Sequence, residues 1–229
     1  MITVLCLMLL VAEPAPKAIP AKEALQPFNL MVGPWRGSGY PEGTREERNK
    51  GFWTESLACQ WVFAGKDVHI AVAIEKGKYY TAFAIRYVPE KEHFHVTATT
   101  IEKKEAVFTG KLTIGSQKEP LLTVDRKDGE EDQRLVFTML HHNRFLYAYH
   151  VKPSNAKVYT KKYQVGATKE GEPFAEVAKG QECIVTGGRG TIAVMHDGKT
   201  YYVCCSGCKD AFKEEPAKYI AEFEKKNKK

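Results

Sequence analysis

The feature that most constrains the fold is a long series of strand-like runs joined by very short polar links. From Val32 to about Lys169, apolar or alternating runs such as DVHIAVAIE, HFHVTATTIE and RFLYAYHVK are separated by turn signals. Links such as AGKD, EKGK and KDGEED suit hairpins between antiparallel neighbours and are too short for crossovers. With a first strand around Trp35, the pattern predicts nine or ten strands in sequence order. A meander of that length removes its exposed edges most simply by closing into a barrel.

The start of this region adds a family resemblance. Residues 22–31 (KEALQPFNLM) predict a short helical or turn segment, and LMVGPWRGSGY follows. This opening resembles that of calycin-like barrels of the nitrobindin and lipocalin kind, in which Gly-x-Trp lies at the base of the first strand. The resemblance covers roughly residues 25–168 and implies an antiparallel barrel. It implies little about function, because one fold hosts many functions.

Six of the seven histidines lie in the barrel region. A haem-binding barrel would need an inward histidine on a late strand, yet the last predicted strand, KVYTKKYQV, has none and His150 lies one strand earlier. The haem-ligating role of such a histidine is therefore assigned to no residue of this chain. Surface or rim positions are expected for the histidines, and a second metal site at His93 and His95, which share one strand face, stays an alternative.

Most of the cysteines are concentrated near the C-terminus. Four of the six lie in the last fifty residues, and Cys183 is followed by twenty residues, Cys204, three residues and Cys208. A disulfide between the neighbours Cys204 and Cys205 would be strained. Thiolates are preferred ligands of soft metals, so a metal site uses the same residues with less strain. Thiol redox chemistry through Cys204 and Cys205 stays open as an alternative.

The local pattern places these thiols at the start of a helix. TIAVMHDGKTYYVCC predicts a hairpin with Asp-Gly at its turn, and Cys204 and Cys205 end its second strand. Ser206 is the expected N-cap of the next helix, and Cys208 falls in its first turn. A helix N-terminus favours anions and lowers thiol pKa. A unit of under fifty residues has little core, so a metal is one way to hold it together.

This C-terminal stretch resembles the TRASH/YHS group of treble-clef-like metal-binding modules. Their signature is one Cys, about twenty residues, Cys-x-x-x-Cys after an aromatic strand, then a Phe and Pro-x-x-Tyr. The matching positions are Cys183, Tyr201, Tyr202, Cys204, Cys208, Phe212, Pro216 and Tyr219. The resemblance implies binding of a heavy metal ion, copper or zinc, in trafficking, sensing or resistance. A metal-transport or resistance protein is the candidate partner.

One corner of the module departs from a closed zinc site. A zinc knuckle usually has Cys-x-x-Cys at this corner. In this chain Cys183 takes the first position, and Thr186 stands where the second cysteine would be. A threonine hydroxyl is a poor ligand for a soft metal. The fourth ligand could be Cys205, His196, water or a partner, or the site could stay three-coordinate, which suits Cu(I). Such a site favours exchangeable metal over a permanent structural ion.

The N-terminal sequence and the break after the barrel suggest the domain organisation. Residues 2–12 (ITVLCLMLLVA) are too few to span a bilayer and fit the core of a signal peptide, with a Pro- and Ala-rich spacer after it. We expect a signal peptide and spacer over 1–20, the barrel over 21–170 and the metal-binding module over 178–226. Export to the periplasm or outside the cell follows, with no stable membrane span after the signal peptide is removed.

Composition and motifs exclude other classes. The net charge is +6, but the lysines pile up only in the terminal EKKNKK, which suits a solvated helix end and not nucleic-acid binding. Gly-x-Ser-x-Gly, His-Glu-x-x-His and phosphate-loop motifs are absent, so no enzyme activity is expected. The sequence thus predicts a mainly β, exported, metal-binding protein. Two alternatives stay open: a barrel that carries a small apolar ligand or haem with the module as a docking domain, and a thiol-disulfide protein.

Overall fold

The structure is a computed structural model that describes residues 19–129, 131–141, 143–171 and 181–227. The predicted signal peptide, with Cys6, lies almost wholly outside the described residues. The predicted end of the barrel domain, residue 170, lies just after the last barrel strand. The predicted start of the metal-binding module, residue 178, lies within residues 172–180, which are also outside the described residues. These boundaries stay predictions.

Ten antiparallel strands form a closed barrel. Each strand pairs with its neighbour in sequence, and the last pairs with the first, Gly37 lying opposite Ala167. The mainly β, antiparallel barrel expected from the short links is confirmed. The strands are β1 Gly33–Pro41, β2 Trp53–Ala64, β3 Asp67–Glu75, β4 Tyr80–Val88, β5 His93–Thr100, β6 Glu105–Ile114, β7 Pro120–Asp128, β8 Glu131–His141, β9 Arg144–Pro153 and β10 Thr160–Lys169.

The barrel interior is filled by side chains that alternate along each strand. In β2, Leu57, Cys59 and Trp61 are buried while the residues between them are exposed, as expected when one face of a strand meets the core. Large inward side chains fill the interior, among them Trp35, Phe83, Phe108, Phe137, Phe145 and Tyr147. His150 alternates with the buried Val151 and with Tyr149 on β9, which is why it does not point into the barrel.

One end of the barrel is closed by the segment before β1. Helix α1, Ala21–Ala24, and a 3-10 helix, Gln26–Met31, bring Leu25, Phe28 and Met31 into complete burial. Phe28 packs against Phe94 of β5 with ring centroids 5.7 Å apart. We call this closed end of the barrel its base.

A short helix between β1 and β2 was not predicted. Helix α2, Arg45–Gly51, begins with a capping box in which Thr44 Oγ1 accepts from Glu47 N and Glu47 Oε2 accepts from Thr44 N at 2.7 Å. These two bonds satisfy backbone donors that the first helical turn leaves unpaired. The motif Thr-x-x-Glu was readable in the sequence.

A buried carboxyl group lies inside the barrel away from the base. Glu55 of β2 is 2% exposed and accepts hydrogen bonds from the Tyr147 hydroxyl at 2.6 Å and from Trp53 Nε1 at 2.9 Å. Burial raises the pKa of Glu55, and the two hydrogen bonds oppose that shift. Gly37 and Gly39 of β1 leave the room that the Glu55 and Trp53 side chains occupy. Sequence analysis did not single out this residue.

After the barrel comes a small α+β part, as expected. It contains a hairpin of β11, Ile192–His196, and β12, Lys199–Val203, followed by α3, Ser206–Glu214, and α4, Pro216–Asn227. Positive φ angles at Asp197 (49°) and Gly198 (74°) form the predicted two-residue turn. Helices α3 and α4 are separate because Pro216 starts a new helix. In the part of the chain that the structure describes, no helix combines the length and apolar character needed to cross a membrane.

Candidate metal centre

Three cysteine sulfurs converge in the C-terminal part. The Sγ atoms of Cys183, Cys204 and Cys208 all lie within 4.8 Å of one another. Cys183 and Cys208 are completely buried, and Cys204 is 9% exposed. Residues twenty-one and four positions apart in sequence thus meet at one point, as the spacing predicted.

A glycine-rich turn positions Cys183. Its backbone N–H donates to the Gly188 carbonyl at 2.7 Å, and its carbonyl accepts from Gly187 N at 2.8 Å. Gly187 has a φ of 73°, a conformation that suits glycine. The turn therefore folds back on itself and directs the Cys183 side chain inward.

The other thiols lie where the hairpin meets α3. Strand β12 ends at Val203, Cys205 is the N-cap of α3, and Cys208 lies in the first helical turn. The expectation that Ser206 caps the helix is wrong by one position. Ser206 is the first helical residue, and its hydroxyl donates to Gln60 Oε1 of the barrel at 2.9 Å.

Cys205 lies beside the cluster. Its Sγ is 3.9 Å from Cys204 Sγ, although it is not in the set of sulfurs that all lie within 4.8 Å of one another. The expectation that Cys204 and Cys205 end the second strand of the hairpin is wrong, because β12 ends at Val203. A strand pleat therefore does not direct the side chains of these two neighbours to opposite faces. Cys205 is thus an adjacent thiol, near enough to exchange hydrogen bonds with the cluster.

The four neighbouring thiols differ in the direction in which their pKa values are shifted. Hydrogen bonds from Cys204 and Cys208 lower the pKa of Cys183, and the same two neighbours lower the pKa of Cys205. The hydrogen bond to Cys183 raises the pKa of both Cys204 and Cys208. Thiolate, the form that binds metals, is therefore favoured at Cys183 and Cys205. Soft thiolates packed this closely fit a thiophilic ion by the chemistry of the donor set.

The remaining corner of the cluster carries Thr186. This side chain is 2% exposed, and its Oγ1 lies 3.6 Å from Cys204 Sγ. His196, the other fourth-ligand candidate within the chain, contacts Asp197 at 3.4 Å and packs against Phe212, outside the group of three sulfurs. The geometry thus brings together three sulfurs and one hydroxyl.

The cluster is docked on the base of the barrel. Asn29 donates from Nδ2 to the Thr186 carbonyl at 3.1 Å and accepts from Trp61 Nε1 at 2.9 Å. Gly207 of α3 packs on the backbone of Trp61, so that a Cβ at this glycine would lie 1.8 Å from the Trp61 carbonyl oxygen. This docking was not predicted.

The docking covers an exposed strand edge. The β1–β2 ladder begins at Gly33 opposite Cys59, so residues 60–64 of β2 extend beyond β1. Backbone groups on such an edge need a cover or a partner. The start of α3 supplies it, and the backbone N–H of Trp61 contributes to lowering the pKa of Cys205.

Comparisons with known proteins assign no family to this chain. No protein-family model matches the chain, and no curated protein matches it. Solved structures do match, among them the structure of EF1p2_mFAP2b bound to DFHBI, with 15% identity, covering 66% of this chain and 99% of that one, at a TM-score of 0.27. A similarity at that score carries no argument, and no family match supports the resemblance to TRASH/YHS modules.

Proposed function

We propose that this protein binds one soft metal ion, copper or zinc, through Cys183, Cys204 and Cys208. The observation that carries the proposal is the convergence of these buried sulfurs within 4.8 Å. Buried cysteines need not converge, since Cys59 in the barrel wall is equally buried and stands apart from the group. Burial raises the pKa of Cys59 to about 12, the opposite of the shift at Cys183.

The donor set favours copper(I) over zinc. Structural zinc sites are almost always closed by four ligands, and the fourth corner here carries the hydroxyl of Thr186. Copper(I) is satisfied by three soft sulfurs. The residues around the cluster hold the thiols in place and exclude water, with Cys183 and Cys208 completely buried.

A role in metal trafficking, sensing or resistance accompanies this proposal. It is supported by the TRASH/YHS-like spacing, by a coordination set one ligand short of closure, and by an N-terminal sequence suited to export. The protein would act by binding and passing on the ion without catalysing a reaction, with a metal-transport or resistance protein as its partner.

Metal analysis of the purified protein tests the proposal. After expression with added copper and added zinc, we expect one ion per chain in the wild type and loss of the ion in Cys204→Ser and Cys208→Ser. Cys59→Ala is the matched control, since it also removes a buried thiol, and it should keep the ion. Unchanged metal content in both serine variants would refute the proposal.

A thiol-disulfide function is the second candidate. Cys204 Sγ and Cys208 Sγ are 3.5 Å apart, close enough to be oxidised with a small movement. A mass loss of two hydrogens, absent in both serine variants, would favour it. The ligand-carrier alternative has less support, because large aromatic side chains fill the described barrel interior; a Soret band in the purified protein would revive a haem carrier.

A further inference from the structure

We propose that Cys205 is the exchange ligand of the metal site, the thiol through which the ion reaches and leaves the three converging sulfurs. The ion passes through an outer position, where Cys204 and Cys205 hold it at the wall of a cavity. The buried position is the one formed by Cys183, Cys204 and Cys208. This role rests on the proposed function and describes how the same site gains and loses its ion.

The distance between Cys204 and Cys205 suits a shared ion. Their Sγ atoms are 3.9 Å apart. With metal–thiolate bonds of about 2.3 Å, two sulfurs bound to one ion lie about 3.8–4.0 Å apart in a tetrahedral or trigonal arrangement. One ion can therefore bridge these two neighbours without a large movement of either side chain.

Cys205 is less well placed as a permanent fourth ligand. In a tetrahedral site every two sulfurs lie about 3.8 Å apart, whereas Cys205 Sγ falls outside the group of sulfurs that lie within 4.8 Å of one another. Cys204 belongs to that group, with its Sγ 3.5 Å from Cys208 Sγ, and it also neighbours Cys205. The buried and outer positions thus overlap at Cys204.

The outer position faces a cavity between the barrel base and the C-terminal part. This cavity has a volume of about 510 Å³, and its lining includes Cys204 and Cys205 but neither Cys183 nor Cys208. The exposed fractions differ in the same direction, at 9% and 8% for the first two residues and 0% for the other two. An ion that enters from the cavity therefore meets the outer position first.

Exchange between the two positions keeps the ion bound at every stage. The Cys205 sulfur forms a bond to the ion while Cys204 stays bound, and the bond to one buried sulfur then breaks. The proton that Cys205 loses passes to the released sulfur, so the oxidation state of the ion does not change. Because soft sulfur ligands hold the ion throughout, it never has to pass through an uncoordinated state. A chelator in the cavity can then take the ion from the outer position.

The experiment measures how fast copper(I) leaves protein loaded with one equivalent, under anaerobic conditions. Excess bathocuproine disulfonate takes up the released ion and reports it by absorption. In Cys205→Ser we expect both release and uptake to slow by at least about tenfold, while the affinity for copper(I) stays that of the wild type. Serine is a favoured N-cap, so α3 keeps its first residue and its cap position in this variant.

Cys59→Ala is the matched control for loss of a thiol. Cys59 lines the same cavity but stands apart from the group of three sulfurs. Its removal should leave the rates of release and uptake unchanged, because it is not next to the ion.

A variant that keeps every thiol tests the cavity as the route. Ala58 is an exposed residue of β2 that lines the cavity, and Ala58→Trp places a large side chain there. We expect release and uptake to slow together, with the affinity unchanged. Val107→Trp, at a 50% exposed position of β6 outside the cavity lining, is its control and should behave as the wild type.

The outcomes separate the exchange role from the proposed function. Wild-type rates in Cys205→Ser overturn the exchange role, and so does loss of copper binding in that variant, which would make Cys205 a permanent ligand. Equal slowing in Cys59→Ala, or wild-type rates in Ala58→Trp, also overturns it. Failure of the wild-type protein to bind copper(I) counts against the proposed function itself.

Discussion

Thr186 Oγ1 lies 3.6 Å from Cys204 Sγ, at the corner of the cluster where a closed zinc site would carry a fourth thiolate. The side chain is buried, so the hydroxyl is held against the sulfurs and not turned to solvent. One residue therefore separates an open three-thiolate site from a closed one. It also makes the open character of the site testable by substitution.

Replacing this threonine should change metal preference. Thr186→Cys places a fourth sulfur beside Cys204, and we expect zinc affinity to increase at least about tenfold and zinc release to chelators to slow. Competition with a chromophoric zinc chelator measures both. Thr186→Ser keeps the hydroxyl and should match the wild type. Equal zinc affinity in the Cys and wild-type proteins would show that this corner does not face the ion.

The close contact between α3 and β2 should be sensitive to a single methyl group. Gly207→Ala places a Cβ 1.8 Å from the Trp61 carbonyl oxygen, so the helix start must move away from the strand. We expect a loss of about 1–3 kcal/mol in the free energy of unfolding and weaker metal binding. Denaturant unfolding and metal titration measure the two effects.

A matched glycine in the barrel controls for the substitution itself. In Gly166→Ala, the new Cβ would lie 3.4 Å from Leu146 Cδ2, an ordinary contact. This variant should bind metal as the wild type does. If Gly207→Ala also left the unfolding free energy and metal binding unchanged, the docking of α3 on β2 would be refuted.

The Asn29 side chain should couple barrel and cluster. Asn29→Asp keeps an acceptor for Trp61 Nε1 but places an oxygen against the Thr186 carbonyl, where the amide donated at 3.1 Å. Loss of that bond should cost about 1–3 kcal/mol of unfolding free energy at neutral pH. Thermal unfolding measures it, and an unchanged midpoint would contradict the coupling.

Glu55 should make stability fall as pH rises. Burial raises the pKa of the carboxyl in the folded protein above its unfolded value of about 4.3. At pH values between these two pKa values, the folded state therefore binds more protons than the unfolded state. Stability is then lost with a slope of at most about 1.4 kcal/mol per pH unit. In Glu55→Gln this contribution should vanish. Parallel pH profiles of unfolding free energy for the two proteins would disprove it.

Local patterns were sufficient to predict the barrel and the hairpin. Links of a few residues can only join neighbouring antiparallel strands, and Asp197-Gly198 tolerates the positive φ angles of a tight turn. Two features were readable but overlooked. Thr44 and Glu47 are spaced as a capping box, and the inward alternation of β2 places Glu55 on the same face as Leu57.

The docking of the cluster could not be read from the sequence. The contact between Gly207 and Trp61 joins residues far apart in the chain, and it depends on where β1 begins relative to β2. The spacing of Cys204 and Cys208 predicted that their sulfurs could meet. It carried no information about the barrel edge beneath them.

The central claim is that a soft metal ion is bound by the sulfurs of Cys183, Cys204 and Cys208. X-ray absorption at the metal edge of the protein loaded with one equivalent of copper(I), without added thiol, counts those sulfurs directly. The account predicts a first shell of three sulfurs in the wild type and in Cys205→Ser. A shell without sulfur, or one lost only when Cys205 is replaced, would contradict it.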